Sequence, residues 1–394
     1  MSDIETPYGV IHYGGVCKDD YPNIRLYDQP PKGGSPVKLQ APAMRAFHAA
    51  QKRYAKATGW SDERIKREGG RPIPLTGSWR SCAYQRELYN SDSKRYANPN
   101  VTAHCRGLAI DVSTAAPNQE KMRRALDAVN AVVSSEPGIL GLHLEGPYLS
   151  PEKPGVHDRR QLRQPSPDEL AMLTAPRSGV LLVTLAPEIV PPGFIAQLVA
   201  SGICVSLGHS MASYQQTRAA MAEGLTGFTH LFNAMRPLSS REGGPIAQAL
   251  ESPDAWYGLI VDGVHVDPAM LRLALRGLGH PILVSDAMPP VGGHRSSFSL
   301  HGDTITARDG YCVRDDGTLA GTVLDMAAAV RNCVRLLGVP LPEALRFASI
   351  HPATFLGLGQ TLGRLAPGYR ADLVAFDATD MTVVATWVAG QENI

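Results

Sequence analysis

Short apolar runs alternate with amphipathic stretches between residues 138 and 286. Helical stretches such as 166–174 and 214–223 separate the runs, and the first of these opens with the start signal Ser-Pro-Asp-Glu. Apolar runs of this length are typical of parallel strands buried on both faces, and they lie near residues 140–144, 180–186, 203–208, 226–229, 257–262 and 281–285. The pattern predicts an α/β fold with six βα units, whereas a closed barrel of such units has eight.

The two ends of the chain have other patterns. Residues 1–128 are richer in Tyr, Lys and Arg, with Pro- and Gly-rich breaks, and nothing in the pattern of this segment supplies two further parallel strands. An alternating stretch at 297–306 predicts a half-exposed strand, and 322–337 and 341–350 predict helices. The chain returns to strand over 363–377. We therefore expect three parts, with the bounds 1–128, 129–360 and 361–394.

The overall composition is that of an ordinary globular protein. The chain has 394 residues, of which 44% are hydrophobic and 19% charged, and its net charge is +1. This charge gives no reason to expect nucleic acid or a membrane surface as a partner. The six cysteines are scattered, which suggests reduced thiols. The first residues lack the features of a signal peptide, and no stretch reaches the roughly 20 apolar residues of a membrane span, so we expect a cytoplasmic protein.

A polar residue follows four of the apolar runs. These residues are Glu145, His209, His230 and Asp286. The carboxyl ends of parallel strands meet at one edge of the sheet, where α/β barrels build active sites. One carboxylate and two imidazoles form a three-ligand metal site with a position open for water, which leaves Asp286 free to act as a base. The pattern predicts a metal-dependent hydrolase, although each residue taken alone also suits a structural hydrogen bond, and Asp286 suits a helix N-cap.

Seven motifs extend this picture along the chain. In order they are His143-Leu-Glu-Gly-Pro-Tyr-Leu, Gly155-Val-His157-Asp, Ser206-Leu-Gly-His209-Ser, Thr229-His230-Leu-Phe-Asn233-Ala-Met235, Val261-Asp-Gly-Val-His265, Ser285-Asp286-Ala-Met and Leu319-Ala-Gly-Thr. Together they make residues 129–390 resemble N-acetylglucosamine-6-phosphate deacetylases, a family of the amidohydrolase superfamily. The resemblance implies an incomplete (β/α)8 metallo-hydrolase barrel with remnants of a small β-sandwich, because the first two barrel strands of the family are not found.

The resemblance also implies a reaction and the roles of individual residues. Members of this family remove the acetyl group of N-acetylglucosamine 6-phosphate, which yields glucosamine 6-phosphate and acetate in amino-sugar catabolism. Asp286 would act as general base and then acid, and His157 would steady the acetyl carbonyl. One divalent ion, Zn²⁺ or another such as Fe²⁺, would be held by Glu145, His209 and His230. The phosphorylated sugar would be held by Asn233, Ala234, Arg241 and His265. The arginine can come from a second subunit in this family, which implies a homodimer.

The first segment carries a different resemblance. Its motifs are Gly77-Ser-Trp-Arg80-Ser, Tyr84-Gln85 and Ala103-His104-Cys-Arg-Gly-Leu-Ala-Ile-Asp111. They make residues 1–128 similar to VanY-type zinc D-alanyl-D-alanine carboxypeptidases, with a small α+β peptidase-like fold and a second metal site at His104 and Asp111. That family takes its third ligand from a later Trp-His pair, which this chain lacks. Two further functions therefore stay open, a peptidase acting on peptidoglycan peptides and an inactive fusion protein.

Two other polar residues are interpreted as structural. Asp262 comes directly after its apolar run, in Val-Asp-Gly, where we expect it to shape a turn. His351 precedes a proline, and we expect it at the end of a helix. The sequence assigns neither residue to the chemistry.

Overall fold

A computed structural model describes residues 119–291, 296–300, 302–377 and 379–393. It also describes the backbone of three short strands, β1 (Ile4–Thr6), β2 (Gly9–Ile11) and β3 (Ile110–Asp111). The chain divides into two compact units. One lies within Arg80–Arg370, and the other within Met1–Trp79 and Ala371–Ile394.

A parallel sheet forms the centre of the larger unit. After β3, its strands are β4 (Gly141–Glu145), β5 (Val180–Leu185), β6 (Cys204–Leu207), β7 (Gly227–Phe228), β8 (Trp256–Ile260) and β9 (His280–Val284). Each strand pairs in parallel with the next one along the chain. The α/β class and the six predicted strands β4–β9 are confirmed.

The first strand of this sheet was not expected from the sequence. Ile110 and Asp111 of β3 pair in parallel with Leu142 and His143 of β4. A strand of two residues is too short to leave a hydrophobic period in the sequence, which explains why β3 was not predicted. The described part of residues 1–128 adds this one parallel strand, and the expectation that the segment does not supply two stays a prediction.

Nine helices lie in the described part of this unit. They are α1 (Gln119–Val132), α2 (Pro167–Thr174), α3 (Phe194–Ala200), α4 (Tyr214–Ala222), α5 (Gly244–Glu251), α6 (Pro268–Ala274), α7 (Met326–Leu337), α8 (Leu341–Phe347) and α9 (Ile350–Phe355). Local capping explains where the predicted helices start. Ser166 and Glu169 form a capping box at the start of α2, as Ser213 and Gln216 do at α4. No helix among the described residues is long and apolar enough to cross a membrane.

Two predicted helices have different bounds in the structure. The stretch 322–337 begins as a helix only at Met326, because the Asp325 side chain accepts a hydrogen bond from the amide of Ala328 and so caps α7. The predicted helix 341–350 ends at Phe347, and Ser349, with φ −135° and ψ −82°, separates it from α9. Hydrophobic periodicity continues through both positions, so only the backbone shows these breaks.

An antiparallel sheet is inserted between β9 and α7. Its strands are β10 (Ser297–Leu300), β11 (Asp303–Arg308), β12 (Tyr311–Arg314) and β13 (Leu319–Thr322). The predicted single strand 297–306 is thus a hairpin in which Ser297 pairs with Thr306. The buried core of this sheet consists of Ile305, Cys312 and Ala320.

The smaller unit contains two antiparallel sheets among its described residues. One joins β1 to β2, and the other consists of β14 (Leu373–Phe376), β15 (Val383–Val388) and β16 (Gln391–Asn393). Asp372 accepts a hydrogen bond from the amide of Ala389, across the β14–β15 pair. Of the predicted strand 363–377, only Leu373–Phe376 (β14) forms a strand.

Candidate functional site

Three of the predicted residues converge at the carboxyl ends of neighbouring strands. Glu145 is the last residue of β4, and His209 and His230 each lie two positions beyond the ends of β6 and β7. Glu145 Oε1 lies 3.1 Å from His209 Nε2 and 3.0 Å from His230 Nε2. The two Nε2 atoms lie 3.2 Å apart. All three side chains are buried, with 5–6% of their residue surfaces exposed.

The distances suit a shared metal ion. Ligand atoms about 2 Å from a tetrahedral ion lie roughly 3.3 Å from one another, and the three pairs here lie 3.0, 3.1 and 3.2 Å apart. Two imidazoles and a carboxylate are ligands that divalent zinc and iron accept. Glu145, His209 and His230 form a group of potential ligands close enough together to hold a metal ion. Among the described residues, this is the group of three or more His, Cys, Asp or Glu side chains that does so. The residues therefore fit one divalent ion.

A loop beside the site fixes the orientation of His209. Its Nδ1 lies 2.8 Å from the carbonyl oxygen of Lys153, so Nδ1 is the donor and Nε2 faces Glu145. The amide of Ser150 donates to the carbonyl of His209 over 2.9 Å. Gly155 approaches the same ring so closely that a Cβ would lie 2.9 Å from its Cε1. The loop that contains Lys153 and Gly155 thus packs directly against His209, a candidate ligand.

The backbone is strained at three of the four predicted positions. His209, His230 and Asp286 have φ angles of 48°, 35° and 48°, in the left-handed region. This conformation costs a side-chain-bearing residue about 1 kcal/mol or more. This conformation turns the chain sharply beyond each strand end, and the surrounding hydrogen bonds hold the residue in that conformation. Such strain typically concentrates at functional sites.

The charges in the site reinforce one another. Burial alone would raise the pKa of Glu145, but its hydrogen bonds with His209 and His230, together with their charges, hold that pKa well below its usual range. Burial alone would lower the pKa of His230, but the hydrogen bond and charge of Glu145 and the charge of Asp286 raise it to about 9. Asp286 is thus close enough to His230 to act on it electrostatically.

The inserted sheet holds the backbone of Asp286. Thr322 of β13 donates from its amide to the carbonyl of Asp286 over 2.9 Å, and from its hydroxyl to the carbonyl of Ser285 over 2.6 Å. Gly321 is required beside them, because a Cβ there would lie 2.6 Å from Met288 Cγ and 2.9 Å from the carbonyl oxygen of Asp286. The motif Leu319-Ala-Gly-Thr therefore supports the segment that carries the predicted base.

His157 lies against the same three side chains. It is 3% exposed, and its ring packs edge-on against that of His209 with the centroids 4.6 Å apart. Its Nε2 lies 3.9 Å from Glu145 Oε2. The structure therefore brings His157 beside the candidate metal centre, where a ring nitrogen could donate to a bound carbonyl.

The predicted substrate-binding residues are spread over two neighbouring loops. Asn233 and Ala234 follow His230 directly, and the Asn233 side chain donates to the carbonyl of His230 over 3.2 Å. His265 lies in the loop after β8, with Nδ1 2.6 Å from Asp262 Oδ2. Arg241 is exposed in the loop between β7 and α5, where its amide donates to Ser239 Oγ. Arg241 is the one of the four that stands out into solvent.

The second predicted metal site falls largely outside the described residues. His104 lies outside them, and Asp111 is described only by its backbone, in β3. This pair and the peptidase function that depends on it stay predictions.

The sequence interpretation missed Glu188. Its carboxylate accepts from the hydroxyl of Ser210 over 2.7 Å and from the amide of Met211 over 2.5 Å. Glu188 follows the end of β5 by three residues, so the rule that identified the other site residues, a polar residue just after an apolar run, also applies to it. It holds the segment directly after His209 and so supports a candidate ligand without touching it.

A row of hydrogen-bonded hydroxyl groups at neighbouring strands, two of them buried (Thr184 and Ser206), was also missed. His143 Nε2 lies 2.8 Å from Thr184 Oγ1, which lies 2.7 Å from Thr229 Oγ1, and this in turn lies 2.7 Å from Ser206 Oγ. These side chains come from four neighbouring strands or strand ends and satisfy one another's hydrogen bonds. Their signal in the sequence is a polar residue inside each otherwise apolar run.

Comparison with known proteins places the chain in a family. Residues 103–392 match the family model described as the amidohydrolase family. The match covers well over half of the 394 residues. The chain belongs to the amidohydrolase family. This match begins ahead of β3 and includes it.

Individual relatives narrow the comparison. N-acetylgalactosamine-6-phosphate deacetylase from Shewanella sp. (strain ANA-3) is 43% identical over 276 residues, which cover 69% of each chain. Human N-acetylglucosamine-6-phosphate deacetylase is 40% identical over 269 residues, which cover 64% of each chain. The solved N-acetylglucosamine-6-phosphate deacetylase from Pasteurella multocida has a TM-score of 0.71 at 34% identity and covers 77% of this chain and 82% of its own. The resemblance of this amidohydrolase to N-acetylglucosamine-6-phosphate deacetylases is confirmed.

Proposed function

We propose that this chain hydrolyses the N-acetyl group of N-acetylglucosamine 6-phosphate to glucosamine 6-phosphate and acetate, as a step of amino-sugar catabolism. The observation that carries the proposal is the convergence of Glu145, His209 and His230, with ligand atoms 3.0 to 3.2 Å apart, at the end of a barrel-type sheet. Curated relatives with this activity support it, such as the human enzyme at 40% identity. A cytoplasmic location and a homodimer belong to the same proposal.

The three convergent side chains would hold one divalent ion. Zn²⁺ suits two imidazoles and a carboxylate best, and Fe²⁺ is also compatible with them. Such an ion, when bound, lowers the pKa of water and polarises a carbonyl group. The Lys153 carbonyl, by accepting from His209 Nδ1, keeps Nε2 of that ring available as a ligand.

The other side chains of the site supply the proton transfers and the charge stabilisation. Asp286 takes a proton from the attacking water while the oxygen of that water bonds to the acetyl carbon. Asp286 then returns the proton to the sugar nitrogen as the C–N bond breaks, so that acetate and a free amine leave. His157 donates a hydrogen bond to the acetyl oxygen, on which negative charge develops. Asn233, Ala234 and His265 hold the phosphorylated sugar from the loops after β7 and β8.

Arg241 fits the homodimer in this proposal. Its exposed guanidinium lies on a loop at the same end of the sheet as the candidate site. A guanidinium binds phosphate through two parallel hydrogen bonds, and a solvent-exposed one is free to reach a neighbouring subunit. In the homodimer, Arg241 of one subunit contacts the phosphate bound by the other.

The epimeric sugar N-acetylgalactosamine 6-phosphate is a second candidate substrate. Two curated relatives that carry the N-acetylgalactosamine-6-phosphate deacetylase name are 43% and 40% identical to this chain. The relatives that carry the N-acetylglucosamine name include enzymes at 36% and 40% identity. Both sugars share the acetamide and the 6-phosphate, so the same chemistry applies to either.

The test is acetate release by the purified protein loaded with Zn²⁺, measured with each of the two sugar phosphates. We expect turnover with both and a higher kcat/KM with N-acetylglucosamine 6-phosphate. A higher kcat/KM with N-acetylgalactosamine 6-phosphate would reverse the assignment of the sugar. Absence of acetate with either sugar, from protein that unfolds cooperatively, would refute the proposal and favour an inactive fusion protein.

A further inference from the structure

The loop after β8 contains a buried carboxylate and imidazole that face each other. We propose that Asp262 is a positioning residue that holds His265 toward the phosphate group of the substrate. This inference rests on the proposed function and deepens it. β8 pairs with β7 on one side and with β9 on the other, so its loop lies between the segments that carry His230 and Asp286.

One oxygen of Asp262 builds the turn. Oδ1 accepts from the amides of Val264 and His265, both over 2.9 Å. Gly263, between Asp262 and Val264, has a φ of +78°, which glycine adopts without steric cost. Asn332 of α7 donates to the carbonyl of Val261 over 2.8 Å and anchors the start of the loop. This is the structural role that the sequence predicts for Asp262.

The second oxygen has a separate partner. Asp262 Oδ2 lies 2.6 Å from His265 Nδ1, and the side chains are only 4% and 5% exposed. A carboxylate accepts hydrogen bonds and does not donate them, so Nδ1 is the donor and the ring orientation is fixed. A residue that only shaped the turn would need Oδ1 alone. The hydrogen bond of His265 and the two amides also hold the pKa of Asp262 below its usual range, against the upward effect of burial.

The opposite ring nitrogen then lacks a partner. His265 Nε2 is buried and makes no hydrogen bond with the residues that the structure describes. A buried polar atom without a partner costs about 1–3 kcal/mol, which a ligand group can recover by pairing with it. With Nδ1–H already donated to the Asp262 carboxylate, a proton on Nε2 makes that atom a donor suited to an anion. A phosphate oxygen meets that requirement better than a sugar hydroxyl.

The test separates the two roles of Asp262 by a conservative substitution. Asp262→Asn keeps Oδ1 for the turn but places an amide NH2, a donor, opposite His265 Nδ1. The ring must then turn or take another tautomer, and the negative charge beside Nδ1 is gone. Asp267→Asn is the matched control, because Asp267 caps α6 from the same loop and asparagine caps helices equally well.

The primary readout is calorimetric binding of glucosamine 6-phosphate to the Zn²⁺-loaded protein. We expect Asp262→Asn and His265→Gln each to weaken binding about tenfold, and the double variant to bind no more weakly than His265→Gln alone. Asp267→Asn should bind like the parent protein. Unchanged binding in Asp262→Asn, or full additivity in the double variant, would overturn the inference.

Steady-state kinetics with N-acetylglucosamine 6-phosphate provides the second readout. In Asp262→Asn we expect KM to rise about tenfold while kcat stays within about twofold, because Asp262 does not touch the reacting amide. A fall in kcat at unchanged KM would contradict a positioning role at the phosphate. If the parent protein binds glucosamine 6-phosphate through Asp262 but releases no acetate, the proposed function fails and this inference stands. If it binds no glucosamine 6-phosphate, the inference fails.

Discussion

Both ends of the parallel sheet gather histidines, and they use them differently. At the carboxyl end, His209 and His230 converge on Glu145, with ring centroids 5.0 Å apart. At the amino end, His280 stacks on Trp256 with the centroids 4.3 Å apart, and His351 of α9 contacts the same tryptophan edge-on at 5.8 Å. The residue type is therefore the same at the two ends, whereas the amino-end histidines are only half-buried.

The partners make the difference. His351 Nδ1 pairs with the carbonyl oxygen of Pro281 over 2.8 Å, and burial lowers its pKa, so the neutral ring is favoured. The carboxyl-end rings share a carboxylate and lie on left-handed backbone. A cluster of histidines thus indicates a functional site when it converges on a carboxylate, and packing when it stacks on aromatic rings.

The largest expected effect comes from removing one histidine at each end. His209→Ala should abolish tight Zn²⁺ binding and acetate release, because two ligands rarely hold zinc. His280→Ala, at the other end, should keep Zn²⁺ binding and acetate release and should lower only the stability of the fold. Metal content after dialysis, acetate release and thermal unfolding would be measured on both variants. Loss of the metal in His280→Ala, or its retention in His209→Ala, would break the distinction between the two ends.

The second-largest expected effect is a loss of kcat when Asp286, the proposed base, is substituted. Asp286→Asn should lower kcat by about 10²–10⁴-fold, the usual worth of a general base, and leave Zn²⁺ bound. The asparagine fills the same volume and leaves the backbone hydrogen bonds of Thr322 in place. Single-turnover acetate release and metal analysis together would show it. A kcat near that of the parent protein would remove Asp286 from the mechanism.

A smaller effect is expected at Glu188, which supports the segment after His209. Glu188→Ala should weaken Zn²⁺ affinity about 10–100-fold, the usual cost of losing a residue that orients a ligand. Glu223→Ala is a matched control, because Glu223 also accepts two hydrogen bonds, from the amides of Gly193 and Ala196, at a helix start away from the site. Equal Zn²⁺ affinity in the two variants, by competition with a chelating dye, would show that Glu188 has only a structural role.

The smallest effect is the pH dependence of stability from His351. Its folded pKa lies below the unfolded value of 6.5, so the unfolded chain binds more protons as the pH falls below 6.5. Stability is therefore retained above pH 6.5 and lost as the pH falls towards the folded pKa. His280, Glu343 and Arg346 also act on this ring.

His351→Asn removes that titration while its amide can still donate to the Pro281 carbonyl. We expect it to cost about 1–2 kcal/mol at pH 7 through lost ring packing, and to flatten the acid limb of the stability curve. Urea unfolding of parent and variant between pH 5 and 8 (a range that spans the ordinary histidine pKa) would measure both. An unchanged acid limb would show that another group controls it.

Periodicity in the sequence predicted much of the fold, but not its shortest or most interrupted parts. The six apolar runs became β4–β9, because strands buried on both faces must be apolar throughout. β3 was not predicted, because two residues are too few to show a hydrophobic periodicity. The break at Ser349 and the hairpin within 297–306 depend on local backbone geometry that hydrophobicity does not report.

The candidate site shows the same division. The rule that polar residues at strand ends meet led to Glu145, His209, His230 and Asp286. The same rule applies to Glu188, which was passed over because no motif drew attention to it. Asp262 was assigned to a turn, and the structure shows that its second oxygen also holds an imidazole.

By itself, the sequence determined the class of the fold and the kinds of groups that the site contains, because both follow from which positions are apolar and which are charged. Only the tertiary structure decided which groups meet. Contacts such as Glu145 with His230, 85 positions apart, depend on strand order and register rather than on spacing along the chain. The orientation of each ring depends on partners such as the Lys153 carbonyl and Asp262 Oδ2. Those partners are set by packing, in which every neighbour contributes and no single residue carries the signal.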